Sequence, residues 1–183
     1  MNLEELSKLM AERMQKVKAF VEGEDVKEIM GLEAVEYYKD SFVNEGFTDE
    51  TLDPWKDVER RDPKSPWYGH DGFYNKSNMT KADKRNQKKH SGTIGRFSPT
   101  RAEDKILKQS GNLKRSIRYE PTSTGAKIVS DAPYARVHQF GLDARIYGKK
   151  KFKMTPRPFM GKSKVLKKNI EDKIKREIKK IIE

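Results

Sequence analysis

The chain contains no cysteine. This absence excludes disulfides, cysteine-ligated zinc, iron–sulfur clusters and a cysteine nucleophile. The chain also lacks an apolar run near the ~20 residues that a membrane-spanning helix needs. Its first ten residues, which include Glu4 and Glu5, lack the basic start and apolar core of a signal peptide. We therefore expect a soluble intracellular protein with no membrane partner.

Catalytic patterns are scarce as well. The three histidines, His70, His90 and His138, do not have the spacing of a metal-binding pair. The sequence has no glycine-rich phosphate loop, nucleophile elbow or dinucleotide fingerprint. We therefore expect no catalytic residue, no metal and no cofactor, and we interpret His138 as a hydrogen-bonded structural histidine.

The length of 183 residues suits a single domain, and the charge within it is uneven. The net charge is +12, from 40 Lys+Arg and 28 Asp+Glu. Residues 1–40 carry 6 basic and 10 acidic side chains, a net charge of −4, whereas residues 144–183 carry 15 and 4, a net charge of +11. The basic end can bind the phosphates of nucleic acid, meet an acidic protein surface, or simply keep a helix soluble.

Apolar residues recurring at steps of three and four predict three helices. The first covers residues 3–21, on the stripe Leu3, Leu6, Met10, Met14, Val17 and Val21. The second covers 26–43, and its Gly31 costs about 1 kcal/mol relative to alanine. We interpret both stripes as core packing. The last helix covers 162–182, with Ser163 as its cap and the stripe Leu166, Ile170, Ile174, Ile178 and Ile181.

Residues 61–100 have a different character, with only 8 apolar residues in 40, dense turn signals and a net charge of +6. A structureless loop of this length is uncommon inside a compact domain. We predict a protruding arm, a partner-ordered segment or a disordered insertion. The interleaved aromatic and basic residues would also suit single-stranded nucleic acid, but the density of turn residues favours an arm.

Shorter elements follow. Residues 101–108 are predicted to form a helix. Leu113–Tyr119 and Ala126–Ser130 are predicted to form a β-hairpin. Tyr134–Phe140 can be a helical turn or a strand, with Tyr134, Val137 and Phe140 packing on the sheet. Two further short strands are predicted at 145–147 and 152–154.

Three motifs occur in a fixed order in the second half of the chain. They are Ile-Leu-Lys-Gln-Ser-Gly-Asn-Leu-Lys-Arg-Ser-Ile at 106–117, Pro-Tyr-Ala-Arg-Val-His-Gln-Phe-Gly at 133–141, and Pro-Arg-Pro-Phe-Met-Gly at 156–161. In this order they resemble the Mu-like phage virion-morphogenesis or tail-completion family and, more loosely, the neck proteins of siphophages. Phe42–Phe47 with Pro54-Trp55 resembles the family's aromatic–glycine–tryptophan segment. The 61–100 insertion and the Lys149–Lys153 run depart from the family pattern.

The resemblance implies a non-enzymatic virion assembly protein of the tail or neck, assembled in the cytoplasm of the bacterial host. It implies a homo-oligomer, a ring of six subunits, that joins the tail tube or tail terminator to the head–tail connector. DNA would pass through such a ring, and the charge pattern does not place the basic end inward or outward. The alternative is a small basic nucleic-acid-binding protein.

The elements and the resemblance together predict an α+β fold. It has a small antiparallel β-sheet, two N-terminal helices, a C-terminal amphipathic helix and a long irregular insertion. Within one domain over 1–183, residues 1–60 form the helical part, 61–100 the insertion, and 101–183 the sheet and last helix.

The motif residues are predicted to build the domain or its interfaces. They are Gly111, Leu113, Ser116, Ile117, Tyr134, His138, Gln139, Gly141, Pro156, Arg157, Pro158 and Phe159. Gly111 is expected to cap a helix and start a strand on which Ser116 and Ile117 face opposite sides. His138 and Gln139 can satisfy a turn backbone.

The proline-rich motif is the candidate for docking. Pro156 and Pro158 stiffen the segment around Arg157, which limits the entropy lost on binding. Phe159 is interpreted as an aromatic anchor on a partner. Arg157 either makes forked hydrogen bonds to a partner or pairs with an acidic group in its own subunit.

Overall fold

The chain combines helices with antiparallel strands, so the predicted α+β class is confirmed. The computed structural model describes residues 2–65, 67–69, 85, 99–107, 110–146 and 150–183. The chain divides into two compact units, Met1–Pro54 with Asn112–Glu183, and Trp55–Gly111. Most of the predicted 61–100 insertion, with His70 and His90, lies outside the described residues. The single domain over 1–183 stays a prediction.

The first helix, α1, spans Leu3–Glu22 and begins with a capping box. The Asn2 side chain accepts a hydrogen bond from the Glu5 backbone N–H at 2.8 Å, and the Glu5 carboxylate accepts one from the Asn2 N–H at 3.0 Å. These bonds satisfy two of the N–H groups that a helix leaves free at its start. The helix predicted over 3–21 is confirmed.

The apolar stripe of α1 is not part of the core, because no residue of this helix is buried. Its half-buried residues are Arg13 and Phe20, on a face beside the stripe, and Val17, a member of the stripe. Arg13 donates to the backbone carbonyl of Glu183 at 3.0 Å. The prediction of core packing for the whole stripe is therefore wrong, since the helix rests on its own chain through a neighbouring face.

The second helix, α2, spans Glu24–Asn44 after a break at Gly23, and it carries much of the core. Of the residues predicted to be buried on this helix, Phe42 is buried, whereas Val26, Ile29, Met30, Tyr37 and Tyr38 are half-buried. Ala34 and Val35, which were not predicted, are buried as well. Gly31 is buried too, and a Cβ built on it would lie 2.3 Å from Cγ of Tyr119. Gly31, which lowers the helix propensity of α2, is thus the position where the Tyr119 ring packs directly against the helix backbone.

Within the described residues, the strands pair as three separate two-stranded antiparallel ribbons. β1 (Gly46–Thr48) pairs with β2 (Leu52–Pro54), β3 (Ile117–Pro121) with β4 (Ala126–Ser130), and β5 (Asp143–Ile146) with β6 (Lys150–Lys153). The β3–β4 hairpin was predicted, and Tyr119 in it stands opposite Ile128. The predicted strand start at Leu113 is wrong, because residues 112–115 form a helical turn before the strand.

Four further helices complete the described part of the chain. They are α3 (Pro99–Glu103), α4 (Asn112–Arg115), α5 (Ala135–Phe140) and α6 (Lys164–Ile182). The predicted C-terminal helix is confirmed, and the Ser163 side chain accepts from the Leu166 N–H at 3.0 Å as its cap. Among the described residues, no helix combines the length and the apolar character needed to cross a membrane.

The unit Trp55–Gly111 is organised around two arginines in its described residues. A short 3₁₀ helix, Glu59–Arg61, places both guanidinium groups on the carbonyl oxygen of Asp104, at 2.7 and 2.9 Å. Trp55 and Ile106 are buried. The helix predicted over 101–108 ends early, at Glu103. Beyond that end, the Asp104 carbonyl accepts from these two arginines.

Candidate functional site

The first group of motif residues surrounds the start of the β3–β4 hairpin. Gly111 has a φ of 70°, a left-handed conformation that glycine adopts without strain, and it comes directly before α4. Leu113 and Ile117 are buried. The Ser116 hydroxyl donates to the Leu113 carbonyl at 2.8 Å, and its oxygen lies 2.7 Å from Oγ of Ser130. Ser116 precedes the strand, so its predicted place on the strand opposite Ile117 is wrong.

The second group brings the two later motifs together. The Gln139 side chain on α5 binds the extended backbone of the proline-rich motif at three points. Its Oε1 accepts from the N–H groups of Phe159 at 3.0 Å and Met160 at 3.2 Å, and its Nε2 donates to the Met160 carbonyl at 2.6 Å. The segment does not pair with a strand in the described residues. The Gln139 amide instead makes the backbone hydrogen bonds that a neighbouring strand would make.

Helix α2 holds the same segment from its other side. The Ser41 hydroxyl donates to the Phe159 carbonyl at 3.1 Å, and the Tyr38 hydroxyl donates to the Gly161 carbonyl at 2.8 Å. The Phe42 and Phe159 rings pack with their centroids 5.2 Å apart. We call residues 156–161, held in this way between α2 and α5, the clamped segment.

Phe159 and Arg157 point into their own subunit. Phe159 has 0% of its surface exposed and Arg157 has 7%. Phe159 is therefore a core residue, and its interpretation as an anchor on a partner is wrong. Aromatic side chains serve domain cores as well as interfaces, and the motif alone does not distinguish the two. Pro156 is exposed and Pro158 is half-buried along the same segment.

Gly141 fixes the turn that leads from α5 toward the clamped segment. Its φ is 64°, and its N–H donates to the Val137 carbonyl at the end of the helix. A Cβ at this position would lie 2.8 Å from the Met154 carbonyl oxygen and 2.9 Å from Cδ of Pro156. The glycine in the second motif and the proline in the third are thus a contacting pair.

The two aromatic ends of the second motif face outward. Tyr134 and Phe140 are exposed. The predicted packing of these two residues on the sheet is therefore wrong. Tyr134 instead meets the His138 ring edge-on, with the centroids 6.0 Å apart.

His138 lies where the clamped segment crosses α5. Its backbone carbonyl accepts from the Arg157 N–H at 2.7 Å. Burial of the imidazole lowers its pKa from 6.5, and the nearby Arg157 charge lowers the pKa further. In the described part of the chain, its Nδ1 atom is buried without a hydrogen-bond partner. This half-buried ring stays neutral at pH 7 and packs against the segment.

A pH dependence of stability follows from this histidine. Below pH 6.5 the unfolded chain takes up a proton at His138 that the folded chain resists. The free energy of unfolding should therefore fall as the pH drops below 6.5, and level off below the folded-state pKa. His138→Gln should make that slope shallower, as measured by urea unfolding at a series of pH values. An unchanged slope would contradict the burial of the neutral ring.

A second polar cluster joins the β1–β2 turn to α6. Oδ1 of Asp49 accepts from the Ser163 hydroxyl at 2.7 Å and from the N–H groups of Lys164 at 2.9 Å and Val165 at 3.2 Å. The Ser163 hydrogen bond is the main cause that holds the pKa of this carboxyl below 3.8. No spacing signal in the sequence could link residues 114 positions apart.

About half of the basic side chains of residues 144–183, 8 of 15, lie on the C-terminal helix α6. Its exposed cations are Lys164, Lys167, Lys168, Lys175, Arg176, Lys179 and Lys180. Lys173, which is half-buried, instead forms an ion pair with Glu33 on α2. The helix therefore packs through its isoleucine side. Its exposed cations, which we call the basic face of α6, are interspersed with Glu171 and Asp172, which pair with Lys167 at 3.7 Å and with Lys175 at 3.9 Å.

Leu113, Ile117, Arg157 and Phe159 of the motifs are buried, and a sequence comparison identifies the family to which the motifs belong. The sequence profile of the phage virion morphogenesis family matches residues 75–179. Neither the curated proteins nor the solved structures gave a match. The profile covers more than half of the chain and contains all the motif residues. The chain therefore belongs to the phage virion morphogenesis family, and its role lies in the assembly of the phage virion.

Proposed function

We propose that this protein is a non-enzymatic tail-completion or head–tail joining component that docks as a ring on the tail end or the connector. The observation that carries the proposal is the family match over residues 75–179. The order of the three motifs, and their resemblance to tail-completion proteins, support the finer placement within the virion.

The geometry is consistent with a scaffold rather than a reaction centre. The motif side chains Gln139, Phe159 and Ile117 are used for internal packing and backbone hydrogen bonds. A rigid interior loses little conformational entropy on docking. The surfaces left for partners are therefore charged or apolar patches on the exterior, most of them outside the motifs; Tyr134 and Phe140 are exposed motif residues.

The basic face of α6 is the surface that we assign to docking. In a ring of six subunits this face would be repeated six times. Once one contact to a symmetric acceptor has formed, the others form at high effective concentration, so weak individual contacts together give strong attachment. Subunits in such a ring meet by head-to-tail contacts. The acceptor is a tail or connector protein with an acidic rim.

DNA is the competing ligand for the same basic face. A helix of exposed lysines contacts phosphates without sequence preference, and its DNA affinity falls steeply with salt. A small basic nucleic-acid-binding protein would therefore retain tight DNA binding in isolation. A head–tail joining protein would instead bind tightly only when the tail is present.

The test is a joining reaction in vitro. Purified protein is added to heads and tails from a phage that lacks it, and joined particles are counted by electron microscopy. Native mass spectrometry of tails with and without the protein gives the ring stoichiometry. We expect joined particles and a ring on the tail. Failure to bind tails, together with salt-sensitive binding to free DNA, would favour the nucleic-acid-binding alternative.

The basic face is tested in the same reaction. Lys167→Glu/Lys168→Glu should lower the yield of joined particles at least about tenfold. Two charge reversals at one docking contact should weaken the free energy of docking by more than about 1.4 kcal/mol. Lys8→Glu/Lys64→Glu makes the same charge change at exposed positions elsewhere and should leave the yield near wild type. Equal yields from both variants would remove α6 from the docking surface.

A further inference from the structure

The exposed apolar stripe of α1 is an unusual feature for a helix that stands at the surface. Leu3, Met10, Met14 and Val21 are 84%, 59%, 70% and 49% exposed. At ~100° per residue, these four positions lie within about 20° of one line along the helix. The face of Arg13, Val17 and Phe20, which contacts the chain itself, lies to one side of that line. The four side chains therefore share one line along the helix, and the described residues leave them uncovered.

The stripe is symmetric about its middle. Leu3 and Val21 are equally distant from residue 12, and so are Met10 and Met14. Two copies of α1 placed antiparallel about that point would bring Leu3 against Val21 of the other copy, and Met10 against its Met14. A helix of 20 residues is about 30 Å long, so the four apolar positions span nearly all of it.

The charge of α1 selects the antiparallel arrangement. Residues 3–12 contain three acidic side chains and one basic, a net charge of −2, whereas residues 13–22 contain three basic and one acidic, a net charge of +2. Glu4 and Lys18 flank the stripe on the same side, about 100° and 60° from its line, whereas Glu5, Glu12 and Lys16 lie on the opposite face. Antiparallel pairing places Glu4 of each helix beside Lys18 of the other. Parallel pairing would place like charges together, which is destabilising.

We infer that α1 is the self-association surface of the free protein, where two copies pair antiparallel across the stripe Leu3, Met10, Met14 and Val21. A two-fold contact of this kind uses the same patch on both copies and cannot by itself close a ring of six. It is therefore a different contact from the head-to-tail one proposed for the virion. Burial of exposed methionine and leucine side chains drives it.

Sedimentation velocity of the purified full-length chain tests the association. A contact between two single helices is small, so we expect a dimer with a dissociation constant of about 1–100 µM. Met14→Glu should raise this constant at least about tenfold. Gln15→Glu adds the same charge at the adjacent exposed position, away from the stripe, and should leave it near wild type. A monomer throughout this concentration range, or equal effects of both variants, would overturn the inference.

Single cysteines test the orientation, because the chain has no other thiol. A disulfide needs Cα atoms within about 7 Å. A mixture of Leu3→Cys and Val21→Cys chains should therefore cross-link on oxidation, whereas Leu3→Cys alone should not, since its two copies would lie about 27 Å apart. Cross-linking of Leu3→Cys alone would overturn the antiparallel arrangement. These measurements concern the free protein. A negative result would therefore not contradict the tail-joining proposal, and failure of the joining test would not contradict the pairing of α1.

Discussion

Phe159→Ala should lower the free energy of unfolding by about 3–5 kcal/mol, the usual loss for a phenylalanine removed from a packed core. The side chain is fully buried and packs against the Phe42 ring, with the two ring planes tilted. The backbone on either side is fixed by Ser41 and Gln139. The clamped segment therefore cannot move to fill the cavity. Urea unfolding followed by circular dichroism gives the difference.

The chain provides a matched control for this substitution. Phe140→Ala removes the same side chain from the end of α5, where it is 62% exposed. Exposed substitutions usually change stability by no more than about 0.5 kcal/mol. If the two variants lose similar stability, Phe159 is not the core residue described here. A selective loss in Phe159→Ala would also explain any assembly defect by misfolding rather than by a lost partner contact.

Gly31→Ala should destabilise the protein by about 1–3 kcal/mol, although helix propensity alone favours alanine by about 1 kcal/mol. The added Cβ would lie 2.3 to 2.8 Å from three atoms of the Tyr119 ring. These atoms, Cγ, Cδ1 and Cδ2, lie at the end of the ring that is attached to Cβ, so rotation of the ring about its bond to Cβ cannot move them away. Either α2 must separate from the β3–β4 hairpin or Tyr119 must leave its position.

A double-mutant cycle isolates that contact. In a Tyr119→Ala background the obstacle is absent, so Gly31→Ala should become neutral or stabilising by up to about 1 kcal/mol. The sign of the Gly31→Ala effect should therefore reverse between the two backgrounds. The same destabilisation in both would mean that the glycine is needed for another reason, and the packing of α2 on Tyr119 would be wrong.

Periodicity alone predicted the long helices. The stripes of α1, α2 and α6 are local patterns, and a helix is formed by local hydrogen bonds, so their bounds agree with the prediction within a few residues. Whether a stripe is buried depends on tertiary contacts with distant parts of the chain, which the local pattern does not contain. Both α1 and α2 carry apolar residues at helical spacing, yet Phe42 of α2 is buried and Met14 of α1 is exposed.

The candidate site could be predicted only as a set of motifs. The sequence identified the residues of the second and third motifs, but their contact depends on a chain reversal between Gly141 and Pro156. The link from Asp49 to Ser163 joins two distant segments through polar atoms, with no apolar pattern to reveal it. Phe159 suits a core and an interface equally well by chemistry, so only burial could decide between them.

Electron microscopy of particles made without this protein is the most direct test of the proposal that it joins heads to tails. A phage with the gene deleted should produce full heads and complete tails that remain separate, and expression of the wild-type chain in the host should restore joined, infectious particles. Lys167→Glu/Lys168→Glu should restore few of them, and Gln15→Glu should restore them fully. Joined particles in the deletion phage, or heads that fail to form, would contradict a role at the head–tail junction.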